Sequence, residues 1–243
     1  MLYQKDFHQS YMEREGFGGR ITIATSSTSP ERYVIKLQRR KQSLNEYVAQ
    51  KLIAALGFYS IPVAWYQDRH GDVYGALRFM DGLKPVGLQC CQGLTAEQKK
   101  KRMFHLSFSF ILGNPDGGEV YIVDTDSGTA QASAADICSL DYGEALCGKS
   151  IFSATFEEDV AGRLKIITEV SQEHMTTTAD FGKSEIENAC LNAVRRLAEL
   201  DMGRMASCLS DIDGYFGRQQ GEWYRESLEG LKAGCAAVVK HRT

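Results

Sequence analysis

The chain has 243 residues, of which 43% are hydrophobic and 24% are charged, and its formal net charge is −3. This composition is typical of a globular protein with a buried core, and the charge excludes a generally basic surface that would coat nucleic acid or membranes. No apolar stretch reaches the roughly 18–20 residues that a membrane span needs, and the N-terminus lacks the apolar region of a secretory signal, so we expect a cytoplasmic protein.

The cysteine and histidine patterns predict no structural metal site. Seven Cys are present without a C-x-x-C motif, and five His show no ligand spacing such as H-E-x-x-H. Cys90 and Cys91 are direct neighbours, which is a poor arrangement for bridging each other or sharing a zinc ion. We therefore expect buried free thiols in a reducing compartment.

The first third of the chain is predicted to be rich in strands. After the first two strands, the sequence S-L-N-E that begins at Ser43 is typical of a helix N-cap. It predicts a helix that ends at Gly57. The first two strands flank a Ser/Thr-rich turn and are expected to form a hairpin. The four strands are predicted from β-branched and alternating runs bounded by turn residues: Arg20–Thr25, Tyr33–Leu37, Ile61–Gln67 and Val73–Phe79.

The remainder is predicted to be mainly helical. Residues 81–94 have the composition of a connector, and Thr95 with Gln98 forms a capping-box pattern that opens a helix. Gly113 and the following Asn-Pro end that helix near Leu112. The later elements are predicted as two strands and four helices: Val120–Val123, Ile137–Leu140, 156–170, 184–200, 202–212 and 220–240.

Two features of the strand-rich part are suited to binding phosphate. The glycines Gly16, Gly18 and Gly19 precede a strand, where backbone N–H groups free of side chains can approach an anion closely. In the strand Y-V-I-K-L, alternation puts Lys36 on the same face as Val34. A lysine on an inward face needs an anion, which would be a phosphate or a carboxylate.

Glu46 lies in the predicted first helix and has two possible partners. It shares a helical stripe with Ala49 and Ile53 that would face a cleft, where it would hold Lys36 by an ion pair. Alternatively, it completes a capping box with Ser43. One carboxylate cannot serve both roles fully, and the sequence leaves the choice open.

Two aspartates follow the ends of predicted elements. Asp116 comes after a helix stop in G-N-P-D, and Asp141 ends a strand in S-L-D-Y-G. An aspartate just past an apolar strand and before glycine suits a metal–phosphate ligand. The order of glycine-rich turn, strand lysine, helix glutamate and two aspartates is that of protein-kinase-type phosphoryl transfer.

The sequence also resembles a family. Residues 26–80, with R-Y-V-I-K-L, S-L-N-E-Y-V-A-Q-K-L-I-A-A-L-G-F and Y-G-A-L-R-F, are similar to HipA-like kinases, which share an atypical kinase fold with phosphatidylinositol kinases. F-I-L-G-N-P-D (110–116) resembles their G-N-x-D-R-H catalytic loop, and S-L-D-Y-G (139–143) resembles their I-D-x-G metal site. The likeness is strongest over about residues 20–145.

This resemblance implies phosphorylation that depends on ATP and Mg²⁺, with a protein hydroxyl as the expected acceptor. Asp116 would be the catalytic base, Asp141 would be a Mg²⁺ ligand, and Lys36, oriented by Glu46, would bind the ATP phosphates. The strand around Ala76–Met80 would lead to the hinge that holds adenine.

The implied fold is α+β, with the two lobes of a protein kinase. Residues 1–83 would form an N-lobe with an antiparallel sheet and one helix, and residues 84–243 would form a mainly helical C-lobe with a short catalytic hairpin. ATP and Mg²⁺ would bind between the lobes.

The sequence departs from the family pattern after the catalytic aspartate. Gly117 and Gly118 replace the Arg-His pair, and Tyr121 stands where a metal-binding Asn is expected. Two alternatives follow, a nucleotide-binding pseudokinase and a kinase-fold protein that transfers AMP. Three acidic residues are candidates for the missing ligand, and spacing selects none of them: Glu119, Asp124 and Asp126.

A different nucleotide site is suggested by Gly143–Ser150, which matches the P-loop pattern G-x-x-x-x-G-K-S. Lys149 and Ser150 would then contact phosphate and Mg²⁺. Against this reading, the rest of the chain is predicted as helices rather than parallel strands, and Glu144 would add negative charge to the phosphate cradle.

Two basic runs, Arg39–Lys41 and Lys99–Arg102, suggest contact with nucleic acid, but we interpret the second as a solvated helix face. The aromatic side chains of the same helix, Phe104, Phe108 and Phe110, are expected to fill a core. A nucleic-acid partner is therefore not expected.

Overall fold

Two β-sheets and six α-helices make up the part of the chain that the computed structural model describes. That part comprises residues 1–12, 21–27, 30–37, 40–81, 83–85, 94–114, 119–123, 137–140, 142, 145–146, 156–175 and 182–242. The strands are β1 (Leu2–Tyr3), β2 (Phe7–Met12), β3 (Ile21–Ser26), β4 (Arg32–Ile35), β5 (Val63–Gln67), β6 (Val73–Arg78), β7 (Lys84–Pro85), β8 (Glu119–Ile122) and β9 (Ile137–Leu140). The helices are α1 (Arg40–Ala55), α2 (Ala96–Ile111), α3 (Phe156–Met175), α4 (Lys183–Ala198), α5 (Ala206–Phe216) and α6 (Arg218–Arg242), with short 3-10 turns at Gln4–Asp6 and Met202–Met205.

The larger sheet has the strand order β1-β5-β6-β4-β3-β2 and is antiparallel except where β1 pairs with β5. The smaller sheet, β7-β8-β9, is antiparallel throughout. The fold is therefore α+β with a mostly antiparallel sheet, as predicted. The hairpin of β3 and β4, the strands β5 and β6, and the hairpin of β8 and β9 are confirmed.

The two faces of the larger sheet are covered differently. Tyr33 and Ile35 of β4 face a small cluster that contains Ala76, whereas Val34 lies opposite Leu77 on the other face. Helix α1 packs on that second face, where a Cβ atom on Gly75 would lie 2.7 Å from the Cβ of Tyr47. The glycine thus permits the helix to approach the strand closely.

The helices form a layer joined to α1 by one hydrophobic cluster, which includes Leu52 of α1, Phe104 of α2 and Leu228 of α6. Polar contacts reinforce the join. The Tyr224 hydroxyl donates to the Asn45 side chain, and the Trp65 indole N–H donates to Asp211 at 3.0 Å. Hydrophobic and polar contacts therefore cross the boundary predicted between residues 83 and 84.

Capping explains the bounds of α2. The Thr95 hydroxyl accepts from the Gln98 N–H at 3.2 Å, and the Gln98 side chain accepts from the Thr95 N–H at 2.9 Å, which confirms the predicted capping box. The helix ends where Gly113 takes a φ of 81°, a conformation that side chains disfavour.

Several expectations were wrong. The N-terminal strands β1 and β2 were not predicted, and the connector 81–94 contains the short strand β7. The basic run on α2 is not simply a solvated face, because Lys99 is only 8% exposed and Arg102 only 2%. Their long aliphatic stems allow such side chains to lie along apolar surface.

The described cysteines behave as predicted for buried thiols. Cys138, Cys190, Cys208 and Cys235 are free and buried. Burial raises the pKa of the Cys208 and Cys235 thiols to about 12, so both are protonated and unreactive at neutral pH. In the same described ranges, no helix combines the length and apolarity needed to cross a membrane.

The close approach of α1 to β6 predicts that Gly75→Ala destabilises the fold. The new methyl group would press on the backbone of α1, and overpacking of this kind costs about 1–3 kcal/mol. Gly214→Ala is a matched control, because a Cβ there meets nothing within 4 Å. Urea denaturation should show a lower midpoint for Gly75→Ala only, and an unchanged midpoint would contradict the packing argument.

Candidate active site

Lys36 directly follows β4 and lies on the side of the sheet that α1 covers. The pairs Val34–Leu77 and Ile35–Ala76 set the register, and continuing it by one residue puts Lys36 opposite Gly75. Because Gly75 has no side chain, the backbone of α1 can approach the sheet closely at this position. The alternation predicted for Y-V-I-K-L is therefore confirmed.

Glu46 of α1 forms an ion pair with Lys36, with 3.8 Å between the ammonium nitrogen and Oε2. The Glu46 side chain is 1% exposed and that of Lys36 is 22% exposed. The alternative capping role was wrong, because α1 begins at Arg40 and Ser43 lies inside it. The Ser43 hydroxyl instead donates to the carbonyl of Gly75, which fixes the helix to β6.

The Glu46 carboxylate also binds the backbone next to Asp141. Its Oε2 accepts from the Tyr142 N–H at 2.6 Å, across 96 residues of sequence. A buried carboxylate is costly unless charges and hydrogen bonds compensate it, and Lys36, the Tyr142 N–H and the Gln50 amide, 3.4 Å from Oε1, do so here. One side chain thus joins the lysine to the S-L-D-Y-G segment.

A hydrogen-bonded network extends from this segment to α2. Nδ1 of His105 lies 2.7 Å from Oγ of Ser139, and that hydroxyl also contacts the Tyr142 hydroxyl. Burial raises the pKa of the Tyr142 hydroxyl far above its ordinary value of 10.0, while its hydrogen bond with Ser139 acts in the opposite direction. Tyr142 is therefore neutral and takes part in the network as a hydroxyl.

Gln50, one turn after Glu46, binds the same segment. Its side-chain amide donates to the Ser139 carbonyl at 2.8 Å and accepts from the Ile61 N–H at 2.9 Å. Two side chains of α1 therefore reach the backbone on both sides of Asp141. Asp141 itself lies outside the described residues.

The glycine-rich segment joins β2 to β3. These strands pair antiparallel with Met12 opposite Ile21, and Thr22 lies opposite Ile35 in β4. The connection between β2 and β3 therefore leaves the sheet at the end where Lys36 lies. Gly16, Gly18 and Gly19 belong to this connection and lie outside the described residues.

The residues that precede Asp116 are held by α2 and α3. Asn114 donates from its side chain to the Ser109 hydroxyl at 3.0 Å. Arg163 of α3 donates to the Ile111 carbonyl at 2.8 Å and pairs with Asp159 at 2.7 Å. The end of α2 is thus fixed directly before Asp116, which lies outside the described residues.

Of the predicted site residues, the structure brings Lys36 and Glu46 together, and it places Glu46 beside the segment that carries Asp141. Sequence reasoning missed Gln50 and His105. Gln50 could have been found from the sequence, because it lies four residues after Glu46 and next to Ala49, on the same side of the predicted helix. Nothing in the α2 pattern distinguished His105 from a core residue.

Metal ligands are not assembled in the described part of the chain, where no group of three or more His, Cys, Asp or Glu side chains is placed to hold an ion. The two aspartates implicated by the resemblance are outside that part. Of the three acidic alternatives, Glu119 begins β8, and the other two, Asp124 and Asp126, lie outside the described residues.

An open concavity of about 580 Å³ lies elsewhere, at the edge of the larger sheet. It is lined by none of the predicted site residues, and its lining comes from β1, β2, the intervening turn and the end of β5. Because it is open and is lined by neither Lys36 nor Glu46, we do not assign it to the site.

No protein-family model matches the chain, and no curated protein and no solved structure is significantly similar to it.

Proposed function

We propose that the chain is a phosphotransferase that uses ATP and Mg²⁺, of the HipA-like kinase type, with a protein hydroxyl as acceptor. The observation that carries the proposal is the buried Glu46 carboxylate, which pairs with Lys36 and accepts from the Tyr142 N–H. A strand lysine paired with a helix glutamate is the arrangement with which protein kinases hold ATP phosphates.

The geometry of the described residues supports binding of an ATP phosphate by Lys36. Its side chain is 22% exposed, so the ammonium is partly open to a ligand, while the buried Glu46 holds it in place. The glycine-rich connection leaves the same end of the sheet. Backbone N–H groups of Gly16, Gly18 and Gly19 would complete the anion site.

Each remaining residue has a role in the transfer. Asp116 orients the acceptor hydroxyl and takes its proton, and Asp141 would hold Mg²⁺, which neutralises charge on the phosphates when bound. The anchored end of α2 and the contacts of α1 to Ser139 and Tyr142 support these two positions.

The P-loop alternative is disfavoured by the described part of Gly143–Ser150. In a P-loop, backbone N–H groups of the loop point at phosphate. Here the Ala145 N–H donates to the Tyr142 carbonyl and the Leu146 N–H donates to the Leu112 carbonyl at 2.9 Å. Both residues are also buried, and the preceding strand β9 is antiparallel to β8 rather than part of a parallel sheet.

We predict that Glu46→Gln lowers phosphate transfer about ten- to hundredfold, which corresponds to losing a charge-assisted interaction of roughly 1.5–3 kcal/mol. The amide keeps the size of the side chain but does not hold the Lys36 ammonium by charge. Asp72→Asn is the matched control, because Asp72 pairs with Arg40 of the same helix at 3.4 Å on the surface.

Transfer is measured with labelled γ-phosphate, and thermal unfolding checks that both variants fold. Equal activity of Glu46→Gln and the wild type would refute the role of the ion pair.

A second pair of variants separates the two nucleotide sites. Asp116→Ala should abolish phosphate transfer and leave binding of ATP largely intact, because this aspartate acts on the acceptor rather than on the nucleotide. Lys149→Ala should be nearly silent. Loss of ATP binding in Lys149→Ala, together with full activity of Asp116→Ala, would favour the P-loop instead.

Mass spectrometry after incubation with Mg²⁺-ATP identifies the transferred group. Addition of a phosphoryl group supports the proposal, addition of AMP supports the nucleotide-transferring alternative, and binding of ATP without transfer supports a pseudokinase.

A further inference from the structure

Gln50 is a polar side chain buried within the packed face of α1. It is 1% exposed and lies between residues that belong to the main hydrophobic cluster, among them Ala49 and Leu52. Burying an amide is costly unless both its donor and its acceptor are satisfied. The Gln50 amide donates to the Ser139 carbonyl and, at 3.4 Å, to Oε1 of Glu46, and its oxygen accepts from the Ile61 N–H.

The contact to Ser139 matters because of where β9 lies. In the part of the chain that the structure describes, this strand is at the edge of the β7-β8-β9 sheet, so a strand pairs with it on one side only. Helix α1 supplies the second support, through the Gln50 amide at 2.8 Å from the Ser139 carbonyl. The contact spans 89 residues of sequence, so it ties two distant parts of the chain together.

Gln50 and Glu46 bind the backbone on either side of the dipeptide Leu140–Asp141. Gln50 binds the carbonyl of Ser139, and Glu46 binds the N–H of Tyr142. Asp141 lies between these two anchored points. Since Glu46 and Gln50 are one helical turn apart, both anchors move with the same rigid element that also holds Lys36.

We propose that Gln50 is a positioning residue that fixes the backbone of the Asp141 segment relative to Lys36. This inference rests on the proposed function, because only the proposed phosphate transfer gives the anchored segment a role. Loss of the Gln50 amide removes the anchor to Ser139 and a 3.4 Å hydrogen bond to Oε1 of Glu46, while Lys36 and the Tyr142 N–H keep their contacts to the other carboxylate oxygen, Oε2. The consequence is a misplaced Asp141 and an intact lysine site.

The test compares Gln50→Met with Asn45→Leu. Each replaces a buried polar side chain of α1 by an apolar one of similar size, but the hydrogen bond that Asn45→Leu removes is to Tyr224 of α6. Gln50→Asn is a milder second variant, whose side chain is one methylene shorter and cannot span both partners of Gln50. It keeps the test decisive if Gln50→Met does not fold.

The first readout is the Mg²⁺ concentration that gives half-maximal phosphate transfer. Removing a residue that supports a metal ligand typically costs tenfold or more in metal affinity, so we expect about a tenfold rise for Gln50→Met. The KM for ATP at saturating Mg²⁺ should change far less than kcat, because the lysine site is retained. Asn45→Leu should stay within about twofold of the wild type, since the hydrogen bond that it removes is to Tyr224 of α6.

The second readout is amide hydrogen exchange of a peptide spanning residues 138–146, measured without nucleotide. Exchange should be faster in Gln50→Met than in the wild type and unchanged in Asn45→Leu. The inference is overturned if Gln50→Met keeps the Mg²⁺ requirement and exchange of the wild type, or if Asn45→Leu changes both equally.

The two readouts distinguish the inference from the proposed function. A wild-type protein without phosphate transfer refutes the proposed function. Hydrogen exchange then still decides whether Gln50 anchors the segment: faster exchange in Gln50→Met alone supports the anchor, and equal exchange refutes it.

Discussion

A buried carboxylate that must be neutralised is the constraint on which the site depends. Glu46 is 1% exposed, and its carboxylate is compensated within α1 by the Gln50 amide and from outside the helix by Lys36 and the Tyr142 N–H. The two partners outside the helix come from the end of β4 and from the segment after β9, which belong to different sheets. Compensating one charge therefore fixes the relative positions of a strand, a helix and a distant turn.

Helix α1 is the element that makes this convergence possible. Gly75 lets it lie close against β6, Ser43 binds the carbonyl of that glycine, and Gln50 reaches across to β9. On its other side, Asn45 binds Tyr224 of α6. A displacement of α1 would break the lysine pair and the anchors of the Asp141 segment together, so the proposed phosphate and metal positions are mechanically coupled.

Secondary-structure elements were predicted from the sequence better than the contacts between distant parts of the chain. The β4 alternation and the Thr95 capping box follow from short-range patterns and were predicted. Lys36 and Ser43 were both candidate partners of Glu46, and the sequence did not choose between them, because the choice depends on where α1 begins. Gln50 was missed because Ser139 is 89 residues away, and the burial of Arg102 was missed because apolar periodicity ignores aliphatic stems.

The central claim is that Lys36, held by Glu46, binds the phosphates of ATP while the Asp141 segment faces them. A crystal structure with Mg²⁺ and a non-hydrolysable ATP analogue tests it most directly. We expect phosphate oxygens within hydrogen-bond distance of the Lys36 ammonium and the metal ion on Asp141. An analogue bound instead through Lys149 and Ser150, with Lys36 contacting only Glu46, would contradict it.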